Sequence, residues 1–166
     1  MADYKELLAQ AAALAEDNFW DVSVFANVSS LLYESMENVS WAGFYVAESY
    51  ILRSMYNGGP DRLLLGPFCG KPACIMIPFG KGVCGTSAAK METVVVKDVE
   101  CFPGHIACDP DSRSEIVVPL IMDGRCIGVL DIDSNEKGRF GEKDKEGLEA
   151  VCRMLEKTIS ERSLKL

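Results

Sequence analysis

Several features are missing or scarce in this chain, and each absence excludes something. No apolar run approaches the roughly 18 residues that a membrane span needs. Basic charge is short: 17 Lys and Arg stand against 25 Asp and Glu, giving a net charge of −8 with no basic cluster to oppose it. Binding to nucleic acid or to an anionic membrane is therefore not expected. The opening Met1-Ala-Asp-Tyr-Lys-Glu lacks the basic stretch and apolar core of an export signal, so a cytoplasmic location is expected. There is no internal repeat and no low-complexity linker. Histidine is almost absent, with His105 the only one.

Against that scarcity stand seven cysteines in 166 residues. An odd number cannot all pair internally, and the chain is too large to need staples, so a disulfide scaffold is a poor reading. Hydrophobic residues make up 48% and charged residues 25%, which excludes disorder. The length fits one domain, residues 1–166.

Apolar residues recur at helical spacing at Leu7, Leu8, Ala11, Leu14 and Ala15, and again from Val24 to Met36. The last helix runs from Glu142 to about Arg162, with Leu148, Val151, Cys152, Leu155 and Ile159 on one stripe. Between them lie short β-rich runs: Trp41–Val46, Leu63–Leu65, Cys74–Ile77, Val94–Val96, Ile116–Met122 and Cys126–Ile132. Asp123-Gly124 reads as a two-residue hairpin turn between the last two. The expected fold is α+β, a central antiparallel sheet with the terminal helices on one face and site-forming loops of residues 57–115 on the other.

Cys126 and Cys152 sit in apolar patterns and read as core. Cys69, Cys74, Cys84, Cys101 and Cys108 lie in or beside loops, where three chemistries compete. Cys101, His105 and Cys108 could begin a zinc site, but there is no second close ligand pair, and no metal is expected. In a cysteine hydrolase the base comes from distant sequence, whereas His105 is three residues from Cys108. Thiol redox chemistry suits several loop cysteines best. Gly80-Lys-Gly-Val-Cys-Gly-Thr reads as a turn entering a helix, where the N-terminus and Lys81 are expected to lower the Cys84 pKa.

Asp131 and Asp133 share one face of a strand and repel unless a cation or a shared proton lies between them. A regular ladder through the Asp123-Gly124 turn puts Glu115 opposite Ile132, on the wrong face to join them. That register also sets Pro119 opposite Gly128, where Pro cannot complete a ladder. A β-bulge there brings Glu115 to the aspartate face, and a regular ladder separates the acids.

Trp41-Ala-Gly-Phe-Tyr, Leu65-Gly-Pro-Phe-x-Gly-Lys-Pro-Ala-Cys, Gly80-Lys-Gly-Val-Cys-Gly-Thr, Gly104-His-Ile-Ala-Cys-Asp, Ser114-Glu-Ile-Val-Val-Pro-Leu and Gly128-Val-Leu-Asp-Ile-Asp-Ser resemble the free methionine-(R)-sulfoxide reductases, single GAF-domain enzymes. The resemblance runs from about Asn27 to the final helix. It implies a GAF fold and reduction of free L-methionine-(R)-sulfoxide by Cys74, Cys84 and Cys108. Cys108 attacks, with Cys84 the rival nucleophile, and Cys74 or Cys84 resolves the sulfenic acid as a disulfide. A thioredoxin-type protein then reopens that disulfide, and no bound cofactor is needed. Glu115, Asp131 and Asp133 match substrate-pocket acids that supply a proton or hold the substrate ammonium. Trp41 matches an aromatic wall for the S-methyl group.

His105 then becomes a positioning residue near Cys108. A homodimer through the terminal helices is expected of such domains. The alternative is a non-catalytic GAF sensor of a small ligand or of redox state, for which the chain has no residues left to form an output domain. Two features depart from the family pattern. The segment Ala47–Asp61 is longer and reads as an extra strand and turn or a lid, and Cys69 and Cys101 are additional loop cysteines.

Overall fold

The computed structural model describes residues 2–16, 20–52, 61–106 and 109–163. Its helices are α1 (Tyr4–Ala15), α2 (Asp21–Ser35), α3 (Glu48–Leu52), α4 (Gly82–Lys90) and α5 (Glu142–Ser163). The strands are β1 (Trp41–Ala47), β2 (Arg62–Cys69), β3 (Met76–Pro78), β4 (Val94–Val96), β5 (Ser114–Met122) and β6 (Arg125–Ser134). They form one antiparallel sheet in the order β3-β2-β1-β6-β5-β4. Among the described residues no helix is long and apolar enough to cross a membrane.

The apolar stripes read from the sequence become the helical layer. Leu148, Val151, Cys152, Leu155 and Ile159 of α5 join Leu7 and Ala11 of α1 and Phe25, Val28 and Leu32 of α2 over one face of the sheet. Helix α1 starts where Asp3 accepts the backbone N–H groups of Lys5 and Glu6, at 3.0 and 3.3 Å. The Tyr4 hydroxyl donates to Asp144 at 2.6 Å and ties α1 to α5. A smaller core of Trp41, Tyr45, Leu63, Val83, Cys84 and Val117 lies on the other face, under α4. Cys126 and Cys152 are buried, as their apolar settings imply.

Several boundaries moved. Strand β2 runs on to Cys69 because a register shift opposite Gly43 to Tyr45 lets the chain carry Pro67, which has no N–H, past β1. Strand β3 begins at Met76 rather than Cys74. The extra strand expected after Ala47 is instead the short helix α3, and the rest of that segment, residues 53–60, lies outside the described residues.

The β5–β6 hairpin decides which side chains meet. Asp123 and Gly124 both have positive φ, 51° and 72°, the two-residue turn that matches sheet twist. A register shift follows at Leu120/Ile121: Ile121 pairs with Cys126, but Leu120 pairs with Gly128. One residue of β6 is thus extra, and Ile127 and Leu130, three apart, both face the helical layer. The bulge lies one pair nearer the turn than Pro119, and it does bring Glu115 opposite Asp133. Gly128 allows this closeness, since a Cβ there would lie 2.5 Å from the Tyr45 carbonyl oxygen of β1. Gly128→Ala is expected to cost about 1–3 kcal/mol by forcing β1 and β6 apart. Urea denaturation checks this, and an unchanged midpoint contradicts it.

Candidate active site

The bulge places Glu115 of β5 beside Asp133 of β6, with Asp131 one pleat further along the same face. Across them stands Cys84, the third residue of α4, whose Sγ lies 3.8 Å from Glu115 Oε1. These four groups line one cavity together with Tyr45, Ile77, His105 and Ser112. Glu115 and Asp131 are each 6% exposed.

Burial governs the protonation of this cluster. It pushes the Glu115 carboxyl well above the usual range, and the Asp133 charge adds to the effect. Asp131 is raised in the same way, by burial first and then by Asp133 and Glu115. Asp133 is raised only to about 6, because a hydrogen bond from Ser112 and the nearby His105 counter its burial. The Ser112 hydroxyl donates to Asp133 Oδ1 at 2.7 Å. The site therefore holds two carboxyl groups that keep their protons to a higher pH than ordinary carboxyls, beside one raised less, an arrangement able to donate a proton.

Cys84 is corrected by the same forces. Its place at the start of α4 suggested an activated thiol, yet burial and the charges of Asp131 and Glu115 raise its pKa well above the ordinary thiol value. It is free, as are Cys69, Cys101, Cys126 and Cys152. Cys74 is disulfide-bonded, and its backbone carbonyl accepts the Tyr45 hydroxyl at 2.9 Å. Cys108 lies outside the described residues.

Trp41 is 3% exposed and stands beside the cavity rather than in its lining. It stacks on Phe68 at 5.2 Å and on Tyr45 at 5.9 Å, and its indole N–H donates to the Lys71 carbonyl at 3.0 Å. Tyr45, not Trp41, is the aromatic ring at the cavity wall. Its signal was in the same motif, since residues 41, 43 and 45 share a strand face. Ser112 and Ile77 carried no comparable signal. His105 Nε2 lies 3.7 Å from Glu115 Oε2, so the single imidazole faces an acid. Lys71 bridges Asp109 at 3.2 Å and Asp111 at 2.6 Å and steadies the loop around the cavity.

A carboxyl raised by folding binds its proton more tightly folded than unfolded, so stability is lost as pH rises through the folded pKa. For Asp133 that window runs from the usual 3.8 to about 6. Asp133→Asn is expected to gain stability over the wild type near pH 8, by at most about 3 kcal/mol, and to show no gain near pH 4. Urea melts at both pH values test this, and a larger gain at the lower pH contradicts it.

Comparison with known proteins agrees with this architecture. Residues 26–159 match the GAF domain family. The free methionine-R-sulfoxide reductase of Escherichia coli (strain K12) is 44% identical over 157 residues, covering 95% of this chain and 88% of that protein. The crystal structure of free methionine-R-sulfoxide reductase from Neisseria meningitidis in complex with its substrate superposes with a TM-score of 0.87 at 43% identity, covering 98% of this chain and 92% of the other. The reduced form of the Staphylococcus aureus protein gives a TM-score of 0.85 at 45% identity, with 96% of each chain covered. By fold and by sequence the chain belongs to the free methionine-R-sulfoxide reductases of the GAF-domain family.

Proposed function

We propose that the protein reduces free L-methionine-(R)-sulfoxide to L-methionine, using its cysteines as the electron source. The observation that carries this reading is the convergence of Glu115, Asp131 and Asp133 in one cavity beside Cys84, in a chain of this family. In the proposed reaction the Cys108 thiolate attacks the sulfoxide sulfur. A protonated carboxyl of the cluster gives its proton to the oxygen, and the oxygen passes to Cys108 as a sulfenic acid while methionine leaves. The Cys74 thiol then displaces water from that sulfenic acid and forms a disulfide.

Two observations favour these roles over those in which Cys84 attacks or resolves. Cys84 is buried, free and raised in pKa, which makes it a poor thiolate. Cys74 is already in a disulfide. An external thioredoxin-type dithiol supplies the two electrons that reopen it. An ionised acid of the cluster holds the ammonium of a free amino acid, which a residue within a peptide chain lacks. Trp41 supports the substrate through Tyr45 and Phe68, which it stacks against. The chain acts as one unit in the reducing cytoplasm, where its remaining thiols stay free.

The deciding assay supplies free R, free S and peptide-bound methionine sulfoxide with dithiothreitol, and turnover of the free R form alone is expected. Absence of that selectivity sinks the reading. Cys108→Ser is expected to be inactive, and Cys74→Ser to lose most turnover with a thioredoxin-type reductant. An active Cys108→Ser alongside a dead Cys84→Ser would move the nucleophile to Cys84. Glu115→Gln is expected to lower kcat about 10²–10⁴-fold, the range typical of a lost general acid.

A further inference from the structure

We propose that the floor of this cavity is also a zinc site, in which Cys84, Glu115 and Asp131 take one divalent ion and so block the substrate. The proposal rests on the reductase reading only for what the ion competes with.

Three donors come from three elements of the rigid frame: Cys84 from α4, Glu115 from β5 and Asp131 from β6. The Cys84 sulfur and one carboxylate oxygen from each acid all lie within 4.8 Å of one another, and all three residues are buried. Tetrahedral zinc, with bonds of about 2.0–2.3 Å, holds its donors roughly 3.3–3.8 Å apart. The Cys84 Sγ to Glu115 Oε1 distance of 3.8 Å already meets that spacing. Small side-chain adjustments close the rest. Asp131 Oδ1 is fully buried, and among the described residues no group outside the cluster hydrogen-bonds to it. His105 Nε2 lies 3.7 Å from Glu115 Oε2, at the edge of the set.

The chemistry of the donors selects the ion. A thiolate with carboxylates and an imidazole suits zinc, whereas magnesium and calcium take mainly oxygen donors. The cavity, about 30 Å³, has room for an ion and a water. Binding needs no electron transfer: the ion displaces the thiol and carboxyl protons to solvent. Cys84 is free while Cys74 is disulfide-bonded, so the site is intact in the oxidised protein. An ion held there occupies the acids that would otherwise meet methionine sulfoxide.

Cobalt is the spectroscopic probe, added to the intact oxidised protein without a thiol reductant. The expected result is saturation at one cobalt per chain, with a near-ultraviolet thiolate-to-cobalt charge-transfer band that zinc abolishes and excess free methionine-(R)-sulfoxide diminishes. Cys84→Ala and Asp131→Asn are each expected to weaken the apparent affinity at least about tenfold, and Cys101→Ser to leave it unchanged. If a variant fails to fold, loss of the wild-type band on adding free methionine-(R)-sulfoxide still places the ion at the cavity. No charge-transfer band, or a band that survives Cys84→Ala and is lost in Cys101→Ser, overturns the site. A band untouched by methionine sulfoxide overturns the blocking role. The spectrum is read without turnover, so a protein that binds cobalt but reduces no sulfoxide refutes the reductase reading and leaves the metal site standing.

Discussion

Removing carboxyl groups from water while leaving them ionised costs several kcal/mol each, and two charges a few ångströms apart add mutual repulsion. Glu115, Asp131 and Asp133 meet both conditions on one sheet face. The group escapes the penalty by keeping protons, and those protons are what bond cleavage at a sulfoxide requires. Cys84 belongs to the same balance. A thiolate there would be a further negative charge, so the thiol stays protonated and its Sγ rests 3.8 Å from Glu115.

The frame around that cluster is arranged to enforce it. The β-bulge in β6 turns Asp131 and Asp133 to the same side as Glu115, and Gly128 lets β1 approach closely enough for Tyr45 to wall the cavity. Helix α4 closes the face and brings Cys84 down onto the acids. The opposite face is filled by α1, α2 and α5, so the sheet cannot relax away from the cluster without opening its main core.

Much of this was legible in the sequence where the signal was local. The three long helices, the Val94–Val96 strand and the Asp123-Gly124 turn follow from periodicity and turn chemistry. A bulge was expected at Pro119, but Pro119 pairs regularly with Val129 and the irregularity lies at Leu120/Ile121, so the sequence pointed to the bulge without locating its cause. Other features depend on contacts distant in sequence. Strand β2 continues past its expected end at Leu65 through Gly66 and Pro67, because a neighbouring strand accommodates the irregularity. Helix α3 carries β-rich residues, Tyr50-Ile51-Leu52, yet buries none of them; hydrogen bonds from Ser49 to Asp61 and from Tyr50 to Asp21 tie it down instead. The helix terminus and Lys81 together pointed to a lowered Cys84 pKa. Only the folded sheet brings Asp131 and Glu115 close enough to reverse it.

Folding raises the buried carboxyls of this cluster well above the pH at which ordinary carboxyls lose their protons. Carbon-13 NMR of side-chain carboxyls, in protein labelled at Asp and Glu, reads each protonation state directly through a pH titration. Glu115 and Asp131 are expected to titrate well above the ordinary carboxyl range and Asp133 near 6, with assignments made from the Asn and Gln variants. Three carboxyls that all ionise in the ordinary range of about 4 would contradict it.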